Sequence, residues 1–223
     1  MLKVCIPIVE TTVEKARRSI GEAHQWADLI ELRVDYLREP DLKSLMDGGG
    51  KSFIVTNRRK EEGGRYEGDE RKRFRILREA VALGAEYVDI EMKSEPSLLQ
   101  DLISNKKSTR MILSFHNFQK TPSPRELGRL YDRMVQWGPD VIKITTLATS
   151  WEDNFKVLSL IPYARRKKQK IVAFCMGEKG RMSRIFAPLM GAAWTYGSLS
   201  RSRVSAPGQL TAEEMKEIWK RLR

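Results

Sequence analysis

The chain has 223 residues, of which 41% are hydrophobic and 31% charged, and its formal net charge is +12. That length is enough for one large core and short for a two-domain enzyme. No apolar run approaches the roughly 20 residues of a membrane-spanning helix, and the opening stretch 1–10 lacks the long apolar region and small-residue cleavage site of a signal peptide.

The basic balance points to an anionic partner: nucleic acid, membrane surface or small molecule. Its clusters, Arg71-Lys72-Arg73 and Arg165-Arg166-Lys167-Lys168, fall within or beside helical patterns. They read as solvated faces, and the few aromatics around them make a poor nucleic-acid platform. Cys5 and Cys175 each sit in a strand-like apolar run, so they read as buried, reduced thiols of a cytoplasmic protein.

Strand-like and helix-like segments alternate along the whole chain. The strands are expected at 2–8, 28–35, 52–57, 86–91, 110–115, 140–145, 170–175 and 193–198. Their centres lie roughly 23 to 34 residues apart, room for one helix and two loops each time. Thr11 with Glu14 forms a capping-box pattern ahead of Val13, Ala16, Ile20 and Ala23. Segment 70–83 places Phe74, Leu77 and Val81 on one helical face before Gly84. Ser123-Pro124-Arg125-Glu126 starts a helix carrying Leu127, Leu130 and Met134, which Gly138 stops. Thr211 with Glu214 starts a last helix bearing Met215, Ile218 and Leu222. About eight βα units suit a single-domain (β/α)8 TIM barrel over residues 1–223. A doubly wound open sheet is the alternative, and the glycine-rich phosphate turn that often marks it is absent.

The strands carry an anomaly. In Ile30-Glu31-Leu32-Arg33-Val34-Asp35 the apolar residues face one side and the three charges the other. In a barrel strand that second side is the interior, where charges are costly unless they pair or serve a ligand. Val141-Ile142-Lys143-Ile144-Thr145 repeats the pattern and turns Lys143 inward. Burial and nearby cations are expected to lower the pKa of this amine toward the working pH, and a neutral amine attacks a ketone to give an imine. The plain alternative is a lysine snorkelling from an edge strand. Ser114 and His116 share the inward face of the fifth strand, with His116 at its C-terminal end, where barrel active sites are built. His24 lies in a helical pattern and reads as structural.

Polar groups follow other strand ends too: Arg58 after strand three, Arg184 after strand seven, and Ser205-Ala206-Pro207-Gly208-Gln209 after strand eight. An arginine pair matches a carboxylate substrate. Loop 59–68, polar and glycine-containing, reads either as a mobile lid or as a plain surface loop. Two separated histidines and two separated cysteines make no metal-ligand set.

Together these pieces resemble the type I 3-dehydroquinate dehydratases, the Schiff-base enzymes of the shikimate pathway. They are Glu31-Leu32-Arg33-Val34-Asp35, Thr56-Asn57-Arg58 with Glu62-Gly63-Gly64, Ser114-Phe115-His116-Asn117-Phe118, Ile142-Lys143-Ile144, Met176-Gly177 through Ser183-Arg184, and Ser205 through Gln209. They occur in the family's order and span nearly the whole chain. The resemblance implies a (β/α)8 barrel, commonly a homodimer, that needs no metal or cofactor, binds neither nucleic acid nor membrane, and dehydrates 3-dehydroquinate to 3-dehydroshikimate. It implies Lys143 as the imine former, His116 as the proton carrier, Glu62 as its helper, and Arg184 as the holder of the substrate carboxylate. Glu31, Arg33, Arg58, Ser205 and Gln209 would complete the binding site. The chain departs from the pattern at Asn117, where the family often has Asp. If that acid orients His116, the amide keeps a hydrogen bond and loses a charge.

Two other readings compete. A lysine-dependent aldolase on the same fold would share the imine but cleave a carbon–carbon bond, with glycines such as Gly177 and Gly208 framing a phosphate. A nucleic-acid-binding protein would use the basic charge, with steep salt dependence, but leaves the inward polar alternation unexplained.

Overall fold

Short runs rich in Val and Ile form the strands, and amphipathic segments between them form the helices. In the computed structural model, which describes residues 2–47 and 52–222, the strands are β1 (Val4–Ile8), β2 (Leu29–Arg33), β3 (Ser52–Thr56), β4 (Tyr87–Glu91), β5 (Arg110–Asn117), β6 (Val141–Leu147), β7 (Lys170–Met176) and β8 (Thr195–Tyr196). The helices are α1 (Val13–Ala23), α2 (Leu42–Met46), α3 (Glu70–Ala82), α4 (Pro96–Ser104), α5 (Pro124–Val135), α6 (Asp153–Leu158), α7 (Leu160–Arg166), α8 (Arg181–Met190) and α9 (Ala212–Arg221).

All eight strands run parallel, in the order β7-β6-β5-β4-β3-β2-β1-β8. The remaining seam is bridged by the Ala193 amide, which donates to the Ile171 carbonyl at 2.8 Å. The result is the expected (β/α)8 barrel. β8 is shorter than the expected 193–198 because the chain leaves the ladder at Gly197. A Cβ there would stand 3.0 Å from the Ala212 backbone, so glycine lets the start of α9 press against the strand end.

Period-two alternation separates two cores. Outward residues such as Ile30, Val88, Ile142 and Ile144 pack with Ala16, Phe74, Leu77, Leu127 and Ile161 of the helices. Inward residues at the N-terminal end of the barrel, among them Cys5, Leu29, Ile54, Tyr87, Ile112 and Val141, form a separate apolar plug. One or two steps further along each strand the inward positions turn polar, with Glu31, Thr56, Asp89, Ser114 and Lys143 all buried. The plug makes the barrel a packed core, and the polar layer above it opens at the C-terminal face.

Local signals differ from expectation in detail. The N-cap of α1 is Thr12, not Thr11. The capping boxes Ser123/Glu126 and Thr211/Glu214 both form. α9 buries Ala212, Met215 and Trp219, while Leu222 is exposed, because the indole N–H reaches the Ile185 carbonyl at 2.9 Å and fixes the helix rotation. β2 ends at Arg33, and Asp35 lies in a following 3₁₀ turn (Val34–Tyr36), so it does not share the inward face of Glu31 and Arg33. Arg165–Lys168 are exposed as expected, but Arg73 is not on a solvated face: it is fully buried. Among the described residues no helix is long and apolar enough to cross a membrane.

Candidate active site

One cavity at the C-terminal mouth of the barrel is lined by all nine residues expected at the site: Glu31, Arg33, Arg58, Glu62, His116, Lys143, Arg184, Ser205 and Gln209. They come from six βα units, on β2, β5, β6, α8 and the loops after β3 and β8, and only the closed parallel sheet brings them together.

Lys143 projects inward from the middle of β6. Its Nζ lies 2.9 Å from Asp89 Oδ2, 3.2 Å from the Tyr196 hydroxyl and 3.5 Å from Glu31 Oε1. The sequence suggested cations around this amine. The structure places two carboxylates, Asp89 and Glu31, in contact with it. An ammonium passes on a proton before its nitrogen attacks a carbonyl.

Asp89 is also held by Arg58 Nη2 at 2.7 Å and accepts from Ser114 Oγ at 2.6 Å. Burial alone would raise its pKa, but Arg58 and Lys143 outweigh it and hold the carboxyl well below its ordinary range. Arg58 also donates to Glu91 at 2.9 Å, and Glu91 in turn accepts from Arg73 at 2.6 Å. Arg73 completes the chain with Ser94, the Asn57 carbonyl and two bonds to Glu70. A ladder of alternating charge thus runs from Lys143 through Asp89, Arg58 and Glu91 to Arg73. Sequence reading missed Asp89, Glu91 and Tyr196. The first two stand out in Tyr87-Val88-Asp89-Ile90-Glu91 by the same alternation that singled out Glu31 and Arg33.

Arg73 holds the outer end of this ladder with no exposure at all. Arg73→Met would keep the volume and leave Glu91 with one cation instead of two. Removing one partner of a buried pair costs about 3–5 kcal/mol, and urea unfolding is expected to show a loss of that order. A loss under ~1 kcal/mol would mean that Glu91 is satisfied by Arg58 alone.

His116 stands at the end of β5 with Nδ1 3.0 Å from Glu62 Oε2. Glu62 reaches it from the 3₁₀ turn Lys60–Glu62, and burial lifts this carboxyl to a pKa of about 7 although Arg58 pulls the other way. Burial, with Arg58 and Lys143 nearby, lowers the His116 pKa well below its ordinary value, so the ring stays neutral. Asn117 does not touch the imidazole. Its Oδ1 accepts from the Gln119 and Lys120 amides at 2.9 and 3.1 Å, forming a turn. The departure from Asp at this position therefore leaves His116 oriented by Glu62.

Loop 59–68 folds back on the end of β3, with the Tyr66 amide donating to the Arg58 carbonyl at 3.1 Å. Gly63 has φ +78°, and a Cβ there would meet Phe118 at 2.2 Å, so glycine seats the loop on that ring and aims Glu62 inward. Across the mouth, Arg33 makes a two-bond pair with Asp35, which also accepts from the Arg65 amide at 3.0 Å. Asp35 thus ties β2 to this loop.

Arg184, from α8, differs from the other buried cations. It is 1% exposed, yet its Nε and Nη2 find no hydrogen-bond partner among the described residues, and no carboxylate pairs with it. Burial drops its pKa to about 10. Gln209 accepts from the Ser205 amide at 2.9 Å through Oε1, while its buried Nε2 has no partner among the described residues. Gly208 has φ +72°, and a Cβ there would stand 2.0 Å from the Gly177 carbonyl oxygen. These two glycines pack the loops after β7 and β8 on each other, and neither lines the cavity.

A family model for type I 3-dehydroquinase matches residues 4–223. This chain belongs to the type I 3-dehydroquinase family. It is therefore an enzyme, as its motifs implied. The 3-dehydroquinate dehydratase of Dehalococcoides mccartyi is 40% identical to it over 209 residues, covering 93% of this chain and 89% of the relative. That of Methanocaldococcus jannaschii is 34% identical over 221 residues, covering 97% of each. The chain spans 36% of the bifunctional chloroplastic 3-dehydroquinate dehydratase/shikimate dehydrogenase of Arabidopsis thaliana, at 35% identity over 222 residues. Among solved structures, the 3-dehydroquinate dehydratase of Geobacillus kaustophilus superposes with a TM-score of 0.92 at 24% identity, covering 100% of this chain and 91% of that one. That likeness places the barrel of this type I 3-dehydroquinase beside those of its relatives as a fold.

Proposed function

We propose that this protein dehydrates 3-dehydroquinate to 3-dehydroshikimate through an imine on Lys143. The observation that carries the reading is the pairing of two unlike cations in one cavity. Lys143 is a buried amine between carboxylates, and Arg184 is a buried guanidinium with no anion beside it among the described residues. A substrate bearing both a ketone and a carboxylate answers both, since a bidentate carboxylate would satisfy the vacant Nε and Nη2 of Arg184.

With the carboxylate on Arg184, the ketone condenses with Nζ, and its oxygen leaves as water. The iminium withdraws electrons from the neighbouring carbon, whose proton passes to His116. The electron pair left behind expels the hydroxyl one carbon further on. His116 returns its proton to that hydroxyl, which departs as a second water. Hydrolysis then consumes one water, frees the conjugated enone and restores Lys143, for a net loss of one water. Glu31, Arg33, Arg58, Ser205 and Gln209 would meet the remaining hydroxyls or hold the surrounding loops. The family resemblance adds a cytoplasmic homodimer to the same proposal.

Incubation with 3-dehydroquinate is expected to give a growing near-ultraviolet absorbance from the conjugated enone. Release of an aldehyde instead, or no absorbance change from folded protein, would overturn the reading in favour of carbon–carbon cleavage or of another substrate.

A further inference from the structure

Among the described residues three polar groups touch the Lys143 amine, and two of them are carboxylates: Asp89 at 2.9 Å and Glu31 at 3.5 Å. An ionised carboxylate accepts hydrogen bonds and has no proton to give. The third is the phenol of Tyr196, the last residue of β8, whose hydroxyl lies 3.2 Å from Nζ and whose ring centroid lies 4.3 Å away. The phenol is 4% exposed, and its pKa is raised well above 10 by burial and by Glu31, Cys5 and Asp89. It therefore carries its proton at every working pH. His116 has its Nδ1 on Glu62 and makes no hydrogen bond to Nζ among the described residues.

Building on the imine reading above, we propose that Tyr196 is a catalytic residue that relays protons between Nζ and the departing carbonyl oxygen when the imine forms and when it is hydrolysed. The proton count requires a relay. The ammonium brings three protons, the protonated imine nitrogen keeps one, and two leave with the carbonyl oxygen as water. The carbon–nitrogen bond forms as the carbon–oxygen bond breaks, and no net charge is gained or lost. In the addition product the oxygen is two bonds from Nζ, so a hydroxyl in contact with Nζ is also within reach of that oxygen. Tyr196 can accept a proton from nitrogen while giving its own to oxygen. It ends as it began, without passing through a phenolate that its surroundings disfavour. The reverse sequence serves hydrolysis.

Tyr196→Phe removes one oxygen and keeps the ring against Nζ and beside Phe174, whose ring centroid is 6.0 Å away, so the fold and the cation–π contact are retained. Borohydride trapping of the imine with 3-dehydroquinate, timed by the mass of the Lys143 peptide, is expected to slow by roughly 100-fold, within the usual range for a lost acid–base group. Exchange of the ketone oxygen with oxygen-18 water is expected to slow in parallel. The rate effect of deuterium at the abstracted position is expected to shrink, because imine formation becomes slower than proton removal. Trapping, exchange and turnover all within about twofold of the parent would overturn the assignment, since acid–base help is typically worth ~10²-fold or more. If the parent protein gives no label at Lys143, the imine reading itself fails and this role falls with it. If the parent traps and the variant traps as fast, Tyr196 alone is excluded.

Discussion

Lys143→Ala is expected to abolish turnover of 3-dehydroquinate and, with it, all borohydride-dependent mass on the peptide that contains residue 143. The covalent route divides one difficult elimination into easier steps. Its loss is expected to lower the rate by on the order of 10⁴-fold or more, or at least ~5.4 kcal/mol of barrier. The substitution also leaves Asp89 and Glu31 without their shared cation. Asp89 keeps Arg58 at 2.7 Å and Glu31 keeps the Thr56 hydroxyl at 2.8 Å, so the barrel retains most of its charge pairing. Lys143→Met, which also keeps the volume, is the matched control. Label on a different lysine of the parent protein, or turnover surviving in both variants, would remove Lys143 from the chemistry.

His116→Ala is expected to separate the two halves of the reaction. Elimination is expected to slow by ~10²–10⁴-fold, the usual worth of a general acid–base group. The imine still forms, so borohydride continues to trap substrate on Lys143 and the trapped fraction at steady state rises. Full activity in this variant would exclude His116 as the proton carrier. The pH profile of the parent tests its partner. For His116 to act as a base through Nε2, Nδ1 must hold the ring proton and donate it to an ionised Glu62. Glu62 has its pKa raised from 4.5 to about 7, so kcat/KM is expected to rise with pH through about 7. His116 itself is held neutral to well below its ordinary value, so the rise belongs to the carboxyl. In Glu62→Gln the amide oxygen accepts from Nδ1 without titrating, and the limb near neutrality is expected to disappear. A limb unchanged in that variant would assign the titration to another group.

The alternation of charged and apolar residues in β2 and β6 is a local property, because side chains on a strand alternate by geometry alone. It was enough to turn Glu31, Arg33 and Lys143 inward, and the repeat of strand and helix suited a barrel while leaving an open sheet as the alternative, which the strand order and the Ala193–Ile171 seam resolve. The same rule applied to β4 was available for Asp89 and Glu91, but carboxylates near the end of a short strand also suit a solvent-facing edge. Only the register of β4 between β3 and β5 shows them buried. Arg73 sits in a basic helical run that resembles a wet surface, and its burial follows from Glu91 arriving from a different unit. Tyr196 lies in a two-residue strand whose end is set by the packing of Gly197 on α9.

The linear order of residues therefore determined the alternating strands and helices, the inward lysine and the set of polar strand ends, since each rests on periodicities two to four residues long. What stands next to Lys143 was decided by the tertiary structure alone. The charges of Asp89 and Glu31 and the phenol of Tyr196 come from strands far apart in the chain, and electrostatic interactions depend on distance in space. For that reason the amine expected among cations is found between carboxylates, with a phenol at its side.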